Sequence, residues 1–184
     1  MEQELFDTLA ELEMRATQPP IMEPDSAKFL SILAISNKAN NLVEVGSGVG
    51  YSTLWLAYAA SATGGKVVTC EIDPAKAAET RANLSKAGLA AYVEVLVGDA
   101  REVLRQYSEP VDLLFIDGEY GQYETYFDVV YKRMKVGSII VADKVVDHEN
   151  ELADYTTYMQ NHPNLESVTV PLGQGMEITV KISE

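Results

Sequence analysis

The sequence predicts an α/β protein: a doubly wound, mostly parallel seven-stranded sheet of Rossmann-like type, closed by a C-terminal antiparallel hairpin. Three observations predict it. Residues 42–52 read LVEVGSGVGYS, an apolar strand running into glycines at 46, 48 and 50 and then into a helix-spaced run, Tyr51 to Ala57. From residue 42 onward, strand-like and helix-like segments alternate, which implies parallel strands with helices on both faces. After Gly173-Gln174-Gly175, the period-two pattern Met176, Ile178, Val180, Ile182 follows an earlier strand-like run, the mark of a hairpin.

Composition narrows the class. A chain of 184 residues suits one domain, 1–184, with 47% hydrophobic and 23% charged residues. Its net charge of −14 argues against nucleic acid as a partner, because displacing phosphate counterions needs a basic face. The single cysteine, Cys70, can form no internal disulfide and fits a reducing cytoplasm. The start, MEQELFDTLAELEMR, is acidic and lacks the pattern of a signal peptide. No apolar run nears the roughly 20 residues that cross a bilayer, so no membrane partner is expected.

Taken in order, Leu5, Leu9 and Leu12 predict an amphipathic helix over 2–16, stopped by Gln18-Pro19-Pro20. Asp25 or Ser26 can cap a second helix with Phe29, Leu30 and Leu33 on its apolar face. These two helices, within 1–38, are expected outside the sheet-forming core, over the ligand end of the sheet or against a second subunit. The leucine stripe makes a homodimer the expected assembly. Strands follow at 42–46, 66–71, 92–97, 111–116 and 137–142. Helices fill the gaps at 51–60, 74–87, 100–107 and 121–134. A helix at about 149–160 then leads to hairpin strands at 165–171 and 176–182.

Ligands bind beyond the carboxyl ends of the strands in such sheets, and the informative residues fall there. The strands end in Gly46-Ser47-Gly48, Glu71-Ile72-Asp73, Gly98-Asp99-Ala100, Asp117-Gly118 and Asp143-Lys144. A dinucleotide fingerprint would need glycines at 46, 48 and 51, but residue 51 is tyrosine. Glu71 lies 25 residues after Gly46 at the next strand tip, where an acid can accept both hydroxyls of a ribose. Asp73, before Pro74, reads as a helix cap, and Asp99 can cap the helix at 100 while meeting a base.

Glu44-x-Gly46-x-Gly48-x-Gly50 is similar to the opening of class I S-adenosylmethionine (SAM)-dependent methyltransferases. Over about 21–182 the chain resembles the catechol and caffeoyl-CoA O-methyltransferase-like family. The matching pieces are VEVGSGVGYSTLWLA, VVTCEIDP, RANLSKAGL, VLVGDA, VDLLFIDGEYGQY, VGSIIVADKV and GMEITVKI. The resemblance implies a methyltransferase fold and cofactor contacts at Met22, Glu44, Gly46, Ser47, Gly48, Ser52, Glu71, Ile72, Gly98, Asp99, Ala100 and Asp117. Met22 is expected to close over the cofactor. The implied activity is methyl transfer from SAM to a hydroxyl of a small molecule.

At the chemical centre the sequence departs from the family. There, two aspartates and an asparagine hold a divalent metal, often magnesium, against the acceptor's oxygens. Asp117 and Asp143 match the aspartates, but Lys144 stands where the asparagine is expected, and an ammonium cannot ligate a cation. The family's lysine base falls at Tyr120, while Tyr123 matches a later family tyrosine. The catalytic candidates are therefore Asp117, Asp143, Lys144 and Tyr120. Three readings follow: the two aspartates hold a metal alone, Lys144 takes the metal's place, or the site is inactive. The sequence favours transfer with little or no metal dependence. Alternatives to oxygen transfer are a non-catalytic SAM-binding protein or transfer to a non-oxygen acceptor. His148 begins a helix on the active-site side and could serve as base, whereas His162 reads as a surface residue.

Overall fold

The computed structural model describes residues 2–15 and 21–184. The expected helix stop at Gln18-Pro19-Pro20 lies outside the described residues. Seven strands form one sheet: β1 (Asn41–Val45), β2 (Lys66–Glu71), β3 (Val93–Val97), β4 (Val111–Ile116), β5 (Met134–Ala142), β6 (Leu165–Val170) and β7 (Met176–Lys181). Their order is β3-β2-β1-β4-β5-β7-β6. β1 lies between β2 and β4, with Val45 level with Cys70 on one side and Ile116 on the other. The first five strands run parallel, and β7 returns antiparallel between β5 and β6.

The alternation of side chains sorts the strands' residues onto two faces. Leu42, Leu113, Phe115 and Val141 point to the layer of α1 (Glu2–Arg15), α2 (Pro24–Ser36), α3 (Tyr51–Thr63) and α4 (Pro74–Lys86). Val43, Val45, Leu114 and Ile116 meet α5 (Ala100–Val103), α6 (Tyr123–Tyr131) and α7 (Glu149–Asn161). β4 is buried on both faces along its whole length, which is why it reads VDLLFI with little alternation.

Several boundaries differ from the sequence expectation. α2 starts at Pro24, with Glu23 in the extended cap position and no side-chain cap from Asp25 or Ser26. β5 starts at Met134, not 137, because Met134 pairs with Val111 across a register shift that the sequence alone cannot show. The expected helix 121–134 accordingly ends at Tyr131 and is preceded by a 3-10 turn at Tyr120–Gln122. The helix expected over 100–107 is one α turn followed by a 3-10 turn at Leu104–Gln106.

α1 bears on a larger expectation, that its leucine stripe faces a second subunit. Leu5, Leu9 and Leu12 are 1%, 3% and 4% exposed and join the core with Leu54 and Leu84. Each such leucine contributes roughly 1.5–3 kcal/mol by burial. The helix is also pinned at its far end, where Tyr51 Oη donates to Glu13 at 2.6 Å, Arg15 pairs with Glu79 at 2.7 Å, and Lys86 pairs with Glu11. The leucine stripe is thus covered within the chain, and it no longer argues for a second subunit.

Candidate active site

The turn after β1 sets the geometry. Gly46 donates its N–H to Cys70 O at 2.9 Å and holds φ +91°, and a Cβ there would sit 2.2 Å from the Asp117 carbonyl oxygen. Only glycine lets the tips of β1 and β4 approach this closely. Gly48, at φ +53°, has open space where its Cβ would be. α4 braces the loop from behind: Thr80 Oγ1 donates to Gly48 O at 3.0 Å and lies 3.1 Å from Ser47 Oγ, and Asn83 donates to Val49 O at 2.8 Å. Sequence reasoning did not identify Thr80 or Asn83, which sit more than 30 residues from the loop they hold.

Beyond this turn lies a cavity of about 330 Å³. Of the residues expected at the cofactor, Met22, Gly46, Ser47, Gly48, Ser52, Glu71, Ile72, Gly98, Asp99, Ala100 and Asp117 all line it. Glu71 Oε2 accepts the Gly48 N–H at 2.8 Å and Oε1 accepts the Asp73 N–H at 3.0 Å. Its carboxylate is thereby fixed at the cavity wall with lone pairs to spare for a diol. Ile72, 71% exposed, offers an apolar surface beside it. Asp73 caps α4 as expected, accepting from Ala75 N at 2.8 Å. These features fit a ribose and an adenine ring, so the chain's residues match the nucleoside half of SAM.

Glu44 does not line the cavity. Its side chain points to the α3 face, fully buried, and accepts hydrogen bonds from Ser52 Oγ at 2.6 Å and Thr53 Oγ1 at 2.5 Å. Burial pushes its carboxyl up to about 7, against the lowering effect of those hydroxyls. Glu44 therefore braces the start of α3 and touches the cavity wall through Ser52. Asp99 also differs from the simple expectation. It caps α5 by accepting from Arg101 N at 2.9 Å, and Arg101's guanidinium engages both of its oxygens, holding the carboxyl below its usual range. Arg101 reaches on to Gln122 Oε1 at 3.0 Å and itself lines the cavity. Its position in the first turn after Asp99 was the available signal for it.

Asp117 joins this cavity to the second half of the site. Lys144 Nζ is ion-paired to Asp117 Oδ1 and lies 3.9 Å from Asp143 Oδ2. Burial raises the Asp117 carboxyl while Lys144 opposes that. Asp143 is fully buried, neither of its carboxylate oxygens has a hydrogen-bond partner, and burial next to Asp117 lifts it to about 7. Burial acts to lower Lys144, but the two carboxylates outweigh it and the net shift is upward. Lys144 stays an ammonium. Its backbone is left-handed, φ +67°, a conformation that costs a lysine about 1 kcal/mol or more.

These residues do not fit a divalent metal. Among the described residues, no cluster of three or more His, Cys, Asp or Glu side chains is placed to hold one. The space between the two aspartates is taken by a cation covalently attached to the chain. A metal about 4 Å from Nζ would meet repulsion on the order of 4 kcal/mol per unit of its charge at an intermediate dielectric.

Around Lys144, Tyr123 is fully buried and donates its hydroxyl to Asp143 O at 3.3 Å, a brace for the tip of β5. Tyr120 stacks on His148 with ring centroids 4.1 Å apart, and its Oη lies 3.1 Å from His148 Nε2. His148 stands at the start of α7, as expected. His162 packs among Phe127, Tyr131 and Tyr158, away from this site.

The arrangement is a nucleoside-shaped cavity ending at a charged strand tip, the layout of an enzyme that brings a small acceptor up to a bound nucleoside. Comparison with known proteins gives the class. A family model described as O-methyltransferase matches residues 1–182. A catechol O-methyltransferase of Niastella koreensis is 36% identical over 155 residues, covering 82% of this chain and 68% of that protein. One of Mycobacterium tuberculosis is 35% identical over 155 residues, covering 78% and 70%. Among solved structures, an O-methyltransferase from Bacillus cereus in complex with SAH superposes with a TM-score of 0.84 at 28% identity, covering 97% of this chain and 90% of that one. The chain belongs to the O-methyltransferase family and is a SAM-dependent methyltransferase.

Proposed function

We propose that this enzyme moves a methyl group from SAM to a hydroxyl of a small molecule with the Lys144 ammonium, in place of a divalent metal, facing the acceptor oxygen. The observation that carries this reading is the seat of Lys144 on Asp117 and beside Asp143. Bound SAM supplies a methyl carried on a positively charged sulfur. Glu71 would hold the ribose, Ile72 and the Gly98–Ala100 turn would border the adenine, and Met22 would cover the cofactor. Holding acceptor and methyl in near-attack geometry is the larger part of the catalytic task. An ammonium has three N–H donors, so Lys144 can serve Asp117 and still donate to an acceptor oxygen, favouring its ionised form.

An ammonium is a point charge, not a chelating centre. Vicinal hydroxyls are therefore not required, and monophenols should be accepted alongside catechols. The test is methyl transfer from labelled SAM to catechol and to a monophenol, each with EDTA and with magnesium. Rates that change less than about twofold between the two conditions support the reading. A strict need for magnesium would mean the aspartates hold a metal after all, and no transfer to any hydroxylated acceptor would favour a SAM-binding protein without this activity.

We also infer a single domain over 1–184 and a homodimer, now through different residues from the leucine stripe. Phe6 on α1 and Ile32 and Ile35 on α2 are exposed, and Phe6 lies edge-on to Trp55 at 6.3 Å. Light scattering at micromolar concentration should give twice the chain mass, and Phe6→Glu should return it to the monomer. A cytoplasmic location agrees with the lone buried thiol of Cys70. Among the described residues no helix is long and apolar enough to cross a membrane.

A further inference from the structure

A hydroxyl that accepts a methyl must lose its proton, and the groups nearest the charged strand tip cannot take it. Lys144 is held as an ammonium by Asp117 and Asp143, so it donates and does not accept. Asp117 is engaged by that ammonium. Both oxygens of Asp143 are sealed from solvent, with Lys144 Nζ 3.9 Å from Oδ2. Tyr120 remains. Its hydroxyl senses Lys144, Asp117 and Asp143, and burial holds its phenol above the ordinary value. It therefore enters the reaction as a neutral O–H, and can receive a proton only by passing its own onward. His148 Nε2, 3.1 Å from Tyr120 Oη, is placed to receive it, and the imidazole is 34% exposed, open to water beyond.

We propose that Tyr120 and His148 form the route by which the acceptor's proton leaves the site. This rests on the function proposed above and adds to it the base that Lys144 cannot be. The acceptor O–H donates to Tyr120 Oη as the Tyr120 proton passes to His148 Nε2. The methyl carbon exchanges its bond to sulfur for a bond to the acceptor oxygen, and the electron pair of the broken bond stays on sulfur. The positive charge lost at sulfur reappears on the imidazolium, which returns its proton to solvent. Glu151, whose Oε1 is 3.9 Å from His148 Nδ1, supports that charge. The other charged groups around the pair are Lys144, Asp117 and Asp143 on the Tyr120 side, Glu119 next to Tyr120, and Asp147 and Glu149 on either side of His148. The rival base is Glu23, whose carboxylate lies against Gly173 and faces Asp117 and Asp143. A carboxylate is ordinarily a much weaker base than an imidazole toward a phenol.

Two measurements decide the matter. The chain has two histidines, so nitrogen-15 spectra of the imidazoles can be assigned with a His162→Gln variant. A neutral His148 should carry its proton on Nδ1, leaving Nε2 to accept from Tyr120, and Tyr120→Phe should shift it to Nε2. A proton on Nε2 in the unaltered protein would overturn the proposal. The second measurement is kcat/KM against pH for phenol and for the more acidic 4-nitrocatechol. His148→Gln and Tyr120→Phe should each lower the rate with phenol about 100-fold, typical of losing a general base, and remove the ascending limb of the pH profile. 4-Nitrocatechol, which loses its proton readily without help, should fall less than about threefold. Calorimetry with S-adenosylhomocysteine should give unchanged affinity for both variants. An ascending limb that survives both substitutions, or is lost in Glu23→Gln instead, would overturn the relay while leaving methyl transfer in place. Failure of the unaltered protein to methylate either probe would overturn the parent reading as well.

Discussion

Replacing Lys144 by methionine should produce a defect in stability that grows with pH. The substitution keeps the stem's bulk and the left-handed backbone, so strain at φ +67° is common to both proteins and cancels. What changes is the charge between two buried carboxylates. Asp143, fully buried and raised from 3.8 to about 7, already lowers stability by about 4 kcal/mol once it ionises, since each pK unit is about 1.4 kcal/mol. A carboxyl whose folded pKa is raised binds its proton more tightly when folded. Its stabilising contribution is present below the unfolded pKa and is lost as pH climbs to the folded one, here between about 4 and 7. Removing an ammonium 3.9 Å away withdraws an attraction on the order of 4 kcal/mol at an effective dielectric of 20. The folded pKa values of Asp143 and Asp117 then rise further, and the window of loss extends above 7. Urea unfolding of Lys144→Met should show a deficit of about 1 kcal/mol at pH 5.5, where protonation relieves the pair. At pH 8.5 it should reach about 3–5 kcal/mol, the usual result of breaking a buried ion pair. Stability profiles that stay parallel from pH 5.5 to 8.5 would mean that Lys144 does not neutralise these carboxylates.

Two further outcomes follow from the cavity. Glu71→Ala leaves the Gly48 and Asp73 N–H groups without their acceptor and removes the ribose partner, so calorimetry with S-adenosylhomocysteine should show affinity reduced roughly 5- to 150-fold. An unchanged affinity would remove Glu71 from the cofactor site. Gly46→Ala places a Cβ 2.2 Å from the Asp117 carbonyl oxygen at a φ of +91°, and should destabilise by about 3 kcal/mol or more while dispersing the strand tips. A melting temperature within a degree of the unaltered protein would show that β1 and β4 do not meet there.

Much of the fold was legible because its signals are local. The glycine turn after β1, the continuous apolar run of β4 and the Asp73-Pro74 cap each announce themselves within a few residues. The start of β5 did not, because it depends on Met134 pairing with Val111, a contact 23 residues apart in sequence. The partner of α1 was equally hidden: a leucine stripe says that a face is apolar, not that α3 and α4 of the same chain will cover it. The site divides in the same way. Acids at strand tips mark Glu71, Asp117 and Asp143 because parallel sheets bind ligands there. The family resemblance implies a cofactor contact at Glu44, yet the period of two along β1 turns it toward α3, the face opposite Val43 and Val45. Arg101 stands two residues after the Asp99 it holds, a local signal, whereas the stacking of Tyr120 on His148 joins residues 28 apart through the return of the chain after β5.

The proposed function has Lys144 do the work of a cation between Asp117 and Asp143. A manganese(II) titration followed by electron paramagnetic resonance, with S-adenosylhomocysteine present and no acceptor, probes that seat. The unaltered protein should show no manganese site tighter than millimolar, and Lys144→Asn, which frees both carboxylates and adds a carbonyl ligand, should gain one. A stoichiometric manganese site in the unaltered protein, lost in Asp143→Asn, would contradict the claim.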